Sequence, residues 1–283
     1  MGRGRHYAWW RRWGEAVERV FYGKGWAAKL ALRIGLQGEL EIDRRSLPLG
    51  PRASLSDPLR IGFLSNLHAG PLTSPTLFKK ARDALVDFQP HVVLFGGDFV
   101  SLHHANIAAL PNLLDGLAPS HGMFGVFGNH DLWLDDEFIG NALQARGIRL
   151  LVNASVRLAP PFETLSICGL DDPGTGTPDA EAMFANAAEH RLVLSHSPLG
   201  LEYLGDHNYH LFLAGHTHGG QIALPNGKPI ILPRGSGNPR YAKGHHAHEA
   251  SGIPILVSNG LGMCDLPVRL AAPSQVHLLT LTT

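Results

Sequence analysis

Five short apolar stretches of this chain end in the same way, in a turn that carries His, Asp or Asn. Leu59–Leu64 runs into Asn66 and His68, and His91–Phe95 into Gly96-Gly97-Asp98. Met123–Phe127 runs into Gly128-Asn129-His130-Asp131, Arg191–Leu194 into Ser195-His196, and Leu211–Ala214 into Gly215-His216-Thr217-His218. Apolar runs of this length, bounded by turn residues and separated by helical patterns, read as buried strands of a largely parallel sheet. In open α/β sheets ligands bind outside the carboxyl ends of the strands, so these turns are expected to converge on one edge. The repeated ending therefore points to an α/β chain with one composite site.

Around these strands, Ser74–Phe88 is predicted as a helix that ends before Gln89-Pro90. Helical stretches follow near 104–117 and 134–146, and another covers Asp179–His190. Gly35–Leu47 alternates like a strand, Thr164–Leu170 reads as a further one, and two late strands fit Pro254–Ser258 and Val276–Leu281. The segment 233–250 is rich in Gly, Pro and His and reads as a long loop.

With 283 residues, 44% of them hydrophobic and 17% charged, the chain can bury a substantial core and is not a disordered polyelectrolyte. Lys+Arg and Asp+Glu both total 24, which excludes a polyanion binder by net charge. The charge is uneven, however. Residues 1–36 carry eight basic side chains (Arg3, Arg5, Arg11, Arg12, Arg19, Lys24, Lys29, Arg33) against Glu15 and Glu18. Within them, residues 5–36 pattern as an amphipathic helix in which Trp9, Trp10, Trp13, Phe21, Tyr22 and Trp26 alternate with arginines. Indole rings and basic side chains together favour a membrane interface; the alternative is a helix packed on the domain with its arginines solvated. The chain accordingly divides into an N-terminal segment, 1–36, and a main domain, 37–283.

No run of 18 apolar residues is present, and the N-terminus lacks a long apolar core followed by a small-residue cleavage site. Cys168 and Cys264 form no disulfide framework and read as buried thiols of a reducing compartment. The expected location is cytoplasmic, peripheral on the inner face of the membrane where residues 5–36 touch lipid. No basic groove with interleaved stacking aromatics occurs in the main domain, so no nucleic-acid partner is expected.

The strand ends gather unusual chemistry from a chain with 17 histidines. His68, His196, His216 and His218, one carboxylate (Asp98) and two amides (Asn66, Asn129) are a plausible donor set for two divalent cations. A carboxylate can give oxygen to both ions, and Asp98 is the best placed to bridge. Two such ions can hold a hydroxide and polarise a phosphoryl group for in-line attack. His130, beside Asn129, is placed to protonate or stabilise the leaving oxygen. Singly these signals are weak; the ordered set N-x-H, GD, GNHD, H and GHTH is specific.

That ordered set resembles the calcineurin-like metallophosphoesterase superfamily, whose motifs are D-x-H, G-D, G-N-H-[DE], a lone H and G-H-x-H. The resemblance spans about residues 59–283. The longer strings Gly215–Gln221, Arg240-Tyr241 with Gly244, and Asn259–Gly262 before Leu266–Arg269 are similar to a bacterial branch of membrane-associated phosphodiesterases, including hydrolases of UDP-2,3-diacylglucosamine in lipid A biosynthesis. The resemblance implies a four-layer sandwich of two mixed sheets flanked by helices. It implies a first metal held by Asn66, His68, Asp98 and His218, and a second by Asp98, Asn129, His196 and His216. His130 falls where the family has its leaving-group acid. A His-rich donor set with one carboxylate suits manganese best, with iron or zinc as alternatives. The substrate is then a phosphodiester or pyrophosphate, small or lipid-linked.

Asn66 departs from the pattern, because the family has Asp at that position. An amide oxygen is a neutral and weaker donor to a hard cation. Three readings follow: an engineered exchange that slows turnover, a natural variant that still turns over, and a pseudoenzyme that binds without cleaving. The first is preferred, because one isosteric swap sits in an otherwise intact motif. Secondary candidates are Arg234 and Arg240, as phosphate contacts because guanidinium forks match phosphate oxygens or else as ordinary surface arginines, and His103, facing the phosphate or else a solvated loop histidine. The run His245, His246 and His248 offers contact with a pyrophosphate or an extra metal, or else belongs to a mobile loop. Asp171-Asp172, at a strand end, read as turn residues or else as a further acidic site.

Overall fold

The computed structural model describes residues 3–4, 9–49, 55, 57–249 and 251–282; residues 5–8 of the N-terminal segment lie outside them. Two six-stranded mixed sheets form the centre. The first has the order β1 (Leu40–Pro48), β12 (Ser274–Thr282), β2 (Leu59–Leu64), β3 (Val92–Phe95), β4 (Met123–Gly125), β5 (Ile148–Leu150). The second has the order β10 (Gly244–Ala247), β11 (Pro254–Val257), β9 (Leu211–Ala214), β8 (His190–Leu194), β7 (Leu165–Gly169), β6 (Ala154–Arg157). Strands β2 to β5 run parallel, as do β7, β8, β9 and β11. The antiparallel pairs are β12–β2, β10–β11 and β6–β7.

The layers follow from which residues are apolar on both strand faces. Ile61, Phe63, Leu94, Ile167, Leu194, Leu213 and Leu256 interlock in the core between the sheets. The opposite face of the first sheet packs on α3 (Pro75–Phe88) and α6 (Asp136–Gln144) through Phe78, Leu85, Ile139 and Leu143. The outer face of the second packs Val193, Phe212 and Val257 on α7 (Ala180–Phe184) through Met183 and Phe184. Helix, sheet, sheet, helix is the four-layer sandwich that the motif resemblance implies.

Helix α3 illustrates how local rules set an element. Ser74 accepts the Thr76 N–H, Pro75 occupies the first turn, and the buried positions 77, 78, 81, 84 and 85 repeat at helical spacing. Gln89 ends the helix at φ 52°, immediately before Pro90. The predicted bounds and the observed ones differ by a residue.

Other elements differ more. The stretch 104–117 holds a 3₁₀ turn (His104–Ala109) and the short α4 (Pro111–Leu114), because Pro111 starts a new helical turn. The helix expected over 179–190 ends at Phe184: Ser166 Oγ accepts the Ala188 N–H and the Thr164 carbonyl accepts that of His190, so the chain is already entering β8. The expected loop 233–250 contains β10. The N-terminal segment is two helices, α1 (Trp9–Tyr22) and α2 (Trp26–Arg33), hinged at Gly25 with φ 63°. Ala27, Ala28 and Ala31 of α2 are buried, and the Leu36 carbonyl accepts the Arg269 N–H. No helix among the described residues is long and apolar enough to cross a membrane.

Candidate metal centre

The carboxyl ends of β2, β3 and β4 in one sheet meet those of β8 and β9 in the other. The turns that follow are laced together through their backbones: Asn66 N–H to the Gly97 carbonyl, His68 N–H to the Asp98 carbonyl, and Gly215 N–H to the His196 carbonyl, each at 2.9 Å. Asn66, His68, Asp98, His216 and His218 all adopt positive φ, between 43° and 67°. Left-handed backbone is uncommon outside glycine, and Asn, Asp and His are the side chains that tolerate it best, so five of them together mark tight turns held by the surrounding structure. Gly128 is required by crowding, since a Cβ there would overlap the Asp98 Oδ1.

Asp98 is oriented by α5 (Asn129–Trp133), whose His130 N–H donates to Asp98 Oδ1 at 2.9 Å. Its Oδ2 then faces His68 Nε2 at 3.4 Å and His196 Nε2 at 3.3 Å. His68 Nε2 and His218 Nε2 stand 3.0 Å apart. His196 Nε2 lies 3.1 Å from Asn129 Oδ1 and 3.2 Å from His216 Nδ1. Two groups result, His68–Asp98–His218 and Asp98–His196–His216, both buried and both using Asp98. Donors about 2.1 Å from a shared cation stand roughly 3.0–3.4 Å from one another at octahedral or tetrahedral angles, which matches these separations.

The ring tautomers in the second group also suit a cation. The Gly96 carbonyl lies 2.7 Å from His196 Nδ1, and the Arg234 carbonyl lies 2.8 Å from His216 Nε2. A carbonyl only accepts, so those nitrogens carry the hydrogens and the lone pairs of His196 Nε2 and His216 Nδ1 point inward. Burial pushes His216 down to about 4, with the neighbouring His196 adding to the effect. Burial works against a charged His196, yet with no cation present the Asp98 and Asp172 carboxylates outweigh it and raise that ring to about 9, so a cation that takes the Nε2 lone pair must displace a proton from it. Burial likewise opposes the Asp98 charge, but His196 and His130 hold its carboxyl well below the usual range.

Asn66 sits among these groups in an altered role. Its Oδ1 accepts the His216 N–H at 2.8 Å, and its buried Nδ2 has no hydrogen-bond partner among the described residues. An amide nitrogen has no lone pair to offer, so the atom left over by that bond is a poor ligand.

Two residues that the sequence pattern leaves in the background hold the centre together. Asp131 is fully buried; its Oδ1 accepts from the Phe99 and Val100 N–H groups and its Oδ2 from Gly128, stapling the Asp98 turn to the Asn129 turn. Arg269 is buried behind His218 and donates to the backbone carbonyls of His218, Asn259, Gly260, Gly262 and Ala272. Burial alone pulls its guanidinium down to about 9.

A cleft of about 870 Å³ opens over the centre. Asp98, Asn129, His130 and His216 form its polar floor, and Arg234 is on its wall. His130 packs against His68 with ring centroids 4.9 Å apart, and its Nε2 lies 3.5 Å from Cys264 Sγ. The structure does not bring the other two substrate candidates to the cleft. Arg240 pairs with Glu249 on the surface, and His103 turns its Nδ1 to the Ala105 N–H as the cap of a 3₁₀ turn.

A two-sheet sandwich whose strand ends carry this His-rich set is the architecture of a metallophosphoesterase. The calcineurin-like phosphoesterase family profile matches residues 59–220, more than half of the sequence, and the chain belongs to that family. That family is one of phosphoesterases. Among curated relatives, it is 34% identical over 176 residues to the phosphodiesterase YaeI of Escherichia coli, an alignment spanning 59% of this chain and 63% of that protein. It is 30% identical to the uncharacterized metallophosphoesterase YkoQ of Bacillus subtilis over 77% of this chain and 82% of that one. Among solved structures, a dimetal phosphatase from Danio rerio is 13% identical and covers 72% of this chain and 88% of its own, with a TM-score of 0.43.

Proposed function

We propose that the chain is a binuclear phosphodiesterase whose centre is formed by His68, Asp98 and His218 on one side and Asp98, Asn129, His196 and His216 on the other. The observation that carries this reading is the single carboxylate oxygen, Asp98 Oδ2, lying 3.3–3.4 Å from a histidine of each group. Divalent ions, when bound, supply a charge clamp on the phosphoryl oxygens and an activated water. Manganese is the preferred ion for this donor set, with iron or zinc next. The chain's own residues do the rest. Asp98 is held by the His130 N–H so that its free oxygen faces both groups. The Gly96 and Arg234 carbonyls keep His196 and His216 in the tautomers that bind. His130, on the cleft floor, gives a proton to the leaving oxygen, and the Arg234 wall presents positive charge to the diester.

The direct test is hydrolysis of an aryl phosphodiester with manganese, iron, zinc, cobalt or magnesium supplied singly. Metal-dependent release is expected, and His130→Ala should lower kcat by about 100-fold with metal content unchanged. No turnover with any of these ions, even in the Asn66→Asp variant, would overturn the proposal. Asn66 favours a second reading, a module that holds a phosphorylated ligand without cleaving it. Two ions per chain by elemental analysis together with measurable turnover would exclude it.

A lipid-linked substrate such as UDP-2,3-diacylglucosamine is supported by the surface around the cleft. Ile222, Ile230, Ile231, Leu232 and Leu266 line one side of it. On α1, Trp13, Val17, Val20 and Phe21 are all exposed and share one face, and Trp26, Leu30 and Ile34 continue the pattern along α2. An exposed apolar stripe rimmed by Arg19, Lys24, Lys29 and Arg33 suits the interface of an anionic membrane. The full chain should float with anionic liposomes, and deletion of residues 1–36 should abolish flotation. Equal flotation of both forms would remove the lipid argument, as would cleavage of a generic diester alone.

A further inference from the structure

A second convergence of ligand atoms lies away from the catalytic cleft. Strand β1 ends one sheet and β10 ends the other, and the two outermost strands meet at the same side of the sandwich. Asp43 on β1 stands opposite His277 on β12 in the parallel register, and His277 stands opposite Phe63 of the intersheet core. Across the gap, His245 of β10 stands opposite Leu256 of the same core. Residues paired across a ladder share a face, so all three side chains point into the seam between the sheets.

There they meet on one atom. Asp43 Oδ2 is 2.9 Å from His277 Nδ1 and 2.8 Å from His245 Nε2. Arg45 Nε holds the other oxygen, Oδ1, at 2.9 Å, which keeps Oδ2 turned toward the two rings. His277 is fully buried, and its Nε2 has no hydrogen-bond partner among the described residues. A doubly protonated ring would bury an N–H without an acceptor, so His277 is held neutral with Nδ1 as its one working nitrogen. The other histidines of the run are otherwise engaged: His246 Nε2 bonds the Lys243 carbonyl and His248 Nδ1 bonds Ser251 Oγ. His245 alone faces Asp43.

We propose that Asp43, His245 and His277 form a zinc-type cation site that ties β10 of one sheet to β1 and β12 of the other. Two imidazoles and one carboxylate, with their ligand atoms within 4.8 Å of one another, supply three corners of a tetrahedron. Zinc with ligands at about 2.0–2.1 Å spreads its donors to roughly 3.3–3.4 Å, so the seam opens by about half an ångström. His245 can make that movement because it lies on a half-exposed edge strand. The fourth position faces solvent at that edge. Each ring stays a neutral donor by moving its proton to its other nitrogen, His277 to the buried Nε2 and His245 to Nδ1; the His277 N–H so formed has no acceptor among the described residues, a cost that coordination of the ion must exceed. Imidazole with carboxylate prefers zinc or a neighbouring transition ion over magnesium or calcium. None of the three residues lines the catalytic cleft, so the site is independent of the phosphodiesterase reading.

The experiment compares the full chain with His245→Gln and Asp43→Asn after dialysis against micromolar free zinc, with zinc counted by elemental analysis. All forms keep the catalytic centre, so the difference isolates the seam. The expected result is one zinc fewer per chain in each variant, loss of the zinc-induced rise in Tm expected of the unsubstituted chain, and unchanged diester hydrolysis by His245→Gln. His245 is at the surface, so its variant folds even where Asp43→Asn does not. Equal zinc content in the unsubstituted chain and His245→Gln, or uptake only at millimolar zinc, overturns the proposal.

Discussion

Replacing Asn66 with Asp is expected to raise both metal occupancy and turnover, by about 100-fold or more at limiting metal. Changes in groups that merely orient metal ligands already alter affinity or activity by about 10–100-fold, and a charged ligand placed against the ion acts more directly. The geometry says why one atom matters so much. Asn66 Oδ1 is committed to the His216 N–H, so the second side-chain atom decides what the pocket receives. In asparagine that atom is an NH₂ group with no lone pair; in aspartate it is an oxygen sharing a full negative charge. The deficit is aggravated by the surroundings. Arg269 Nη2 lies 3.3 Å from His218 Nδ1, and burial, His68 and Arg269 together push His218 well below its usual range. The half of the centre around His68 and His218 thus faces a cation with Asp98 as its one carboxylate. Isothermal titration with manganese and initial rates on an aryl diester check the prediction. Equal affinity and equal kcat/KM for the chain with Asn66 and its Asn66→Asp variant would show that the ion does not need this position.

The same contrast separates what is legible in the sequence from what is not. The strands that carry the centre are legible because each is a buried apolar run terminated by a polar turn, and burial on both faces leaves no ambiguity of period. β5 and β6 escape because they are three- and four-residue strands at or near the sheet edges, with partly exposed positions and no clean alternation. β10 hides in a Gly-His-His-Ala stretch whose composition resembles a loop, although its pairing with β11 places it in the sheet. Proximity in sequence to a strand-end turn is a poor guide to orientation. His103 follows Asp98 by five residues yet caps a helical turn, while Arg234, from a distant loop, reaches the cleft wall and lends its carbonyl to His216. Nor does the pattern reveal that Asn66 spends its oxygen on a backbone N–H, because that depends on where the His216 turn comes to rest. Asp131 and Arg269 escape for another reason. Most of their partners are backbone groups of remote turns, and backbone geometry leaves no trace in residue type.

Arg269 is where that hidden layer can be measured. One guanidinium satisfies five buried backbone carbonyls, those of His218, Asn259, Gly260, Gly262 and Ala272, at 2.6–3.3 Å. Four of these carbonyls belong to the turn that presents His218 and to the loop that crosses behind Asn66, where Leu261 and Gly262 N–H groups bond the Ser65 and Asn66 carbonyls. A methionine side chain in its place fits the volume but donates nothing. Each buried acceptor left unpaired costs about 1–3 kcal/mol, partly recovered by relaxation and entering water, so Arg269→Met should destabilise the fold by about 4 kcal/mol. That is roughly a thousandfold in the folding equilibrium. Lysine should rescue little, because a single ammonium has three donors and no planar fork to reach five acceptors. Urea denaturation measures the loss. A second readout distinguishes a structural hub from an electrostatic neighbour of the centre: under native conditions Arg269→Met also removes a positive charge beside His218. If charge were its main effect, metal affinity would rise while stability held. The five carbonyls argue for the reverse, a lower midpoint in urea with weaker metal binding, since the turn that places His218 loses its support.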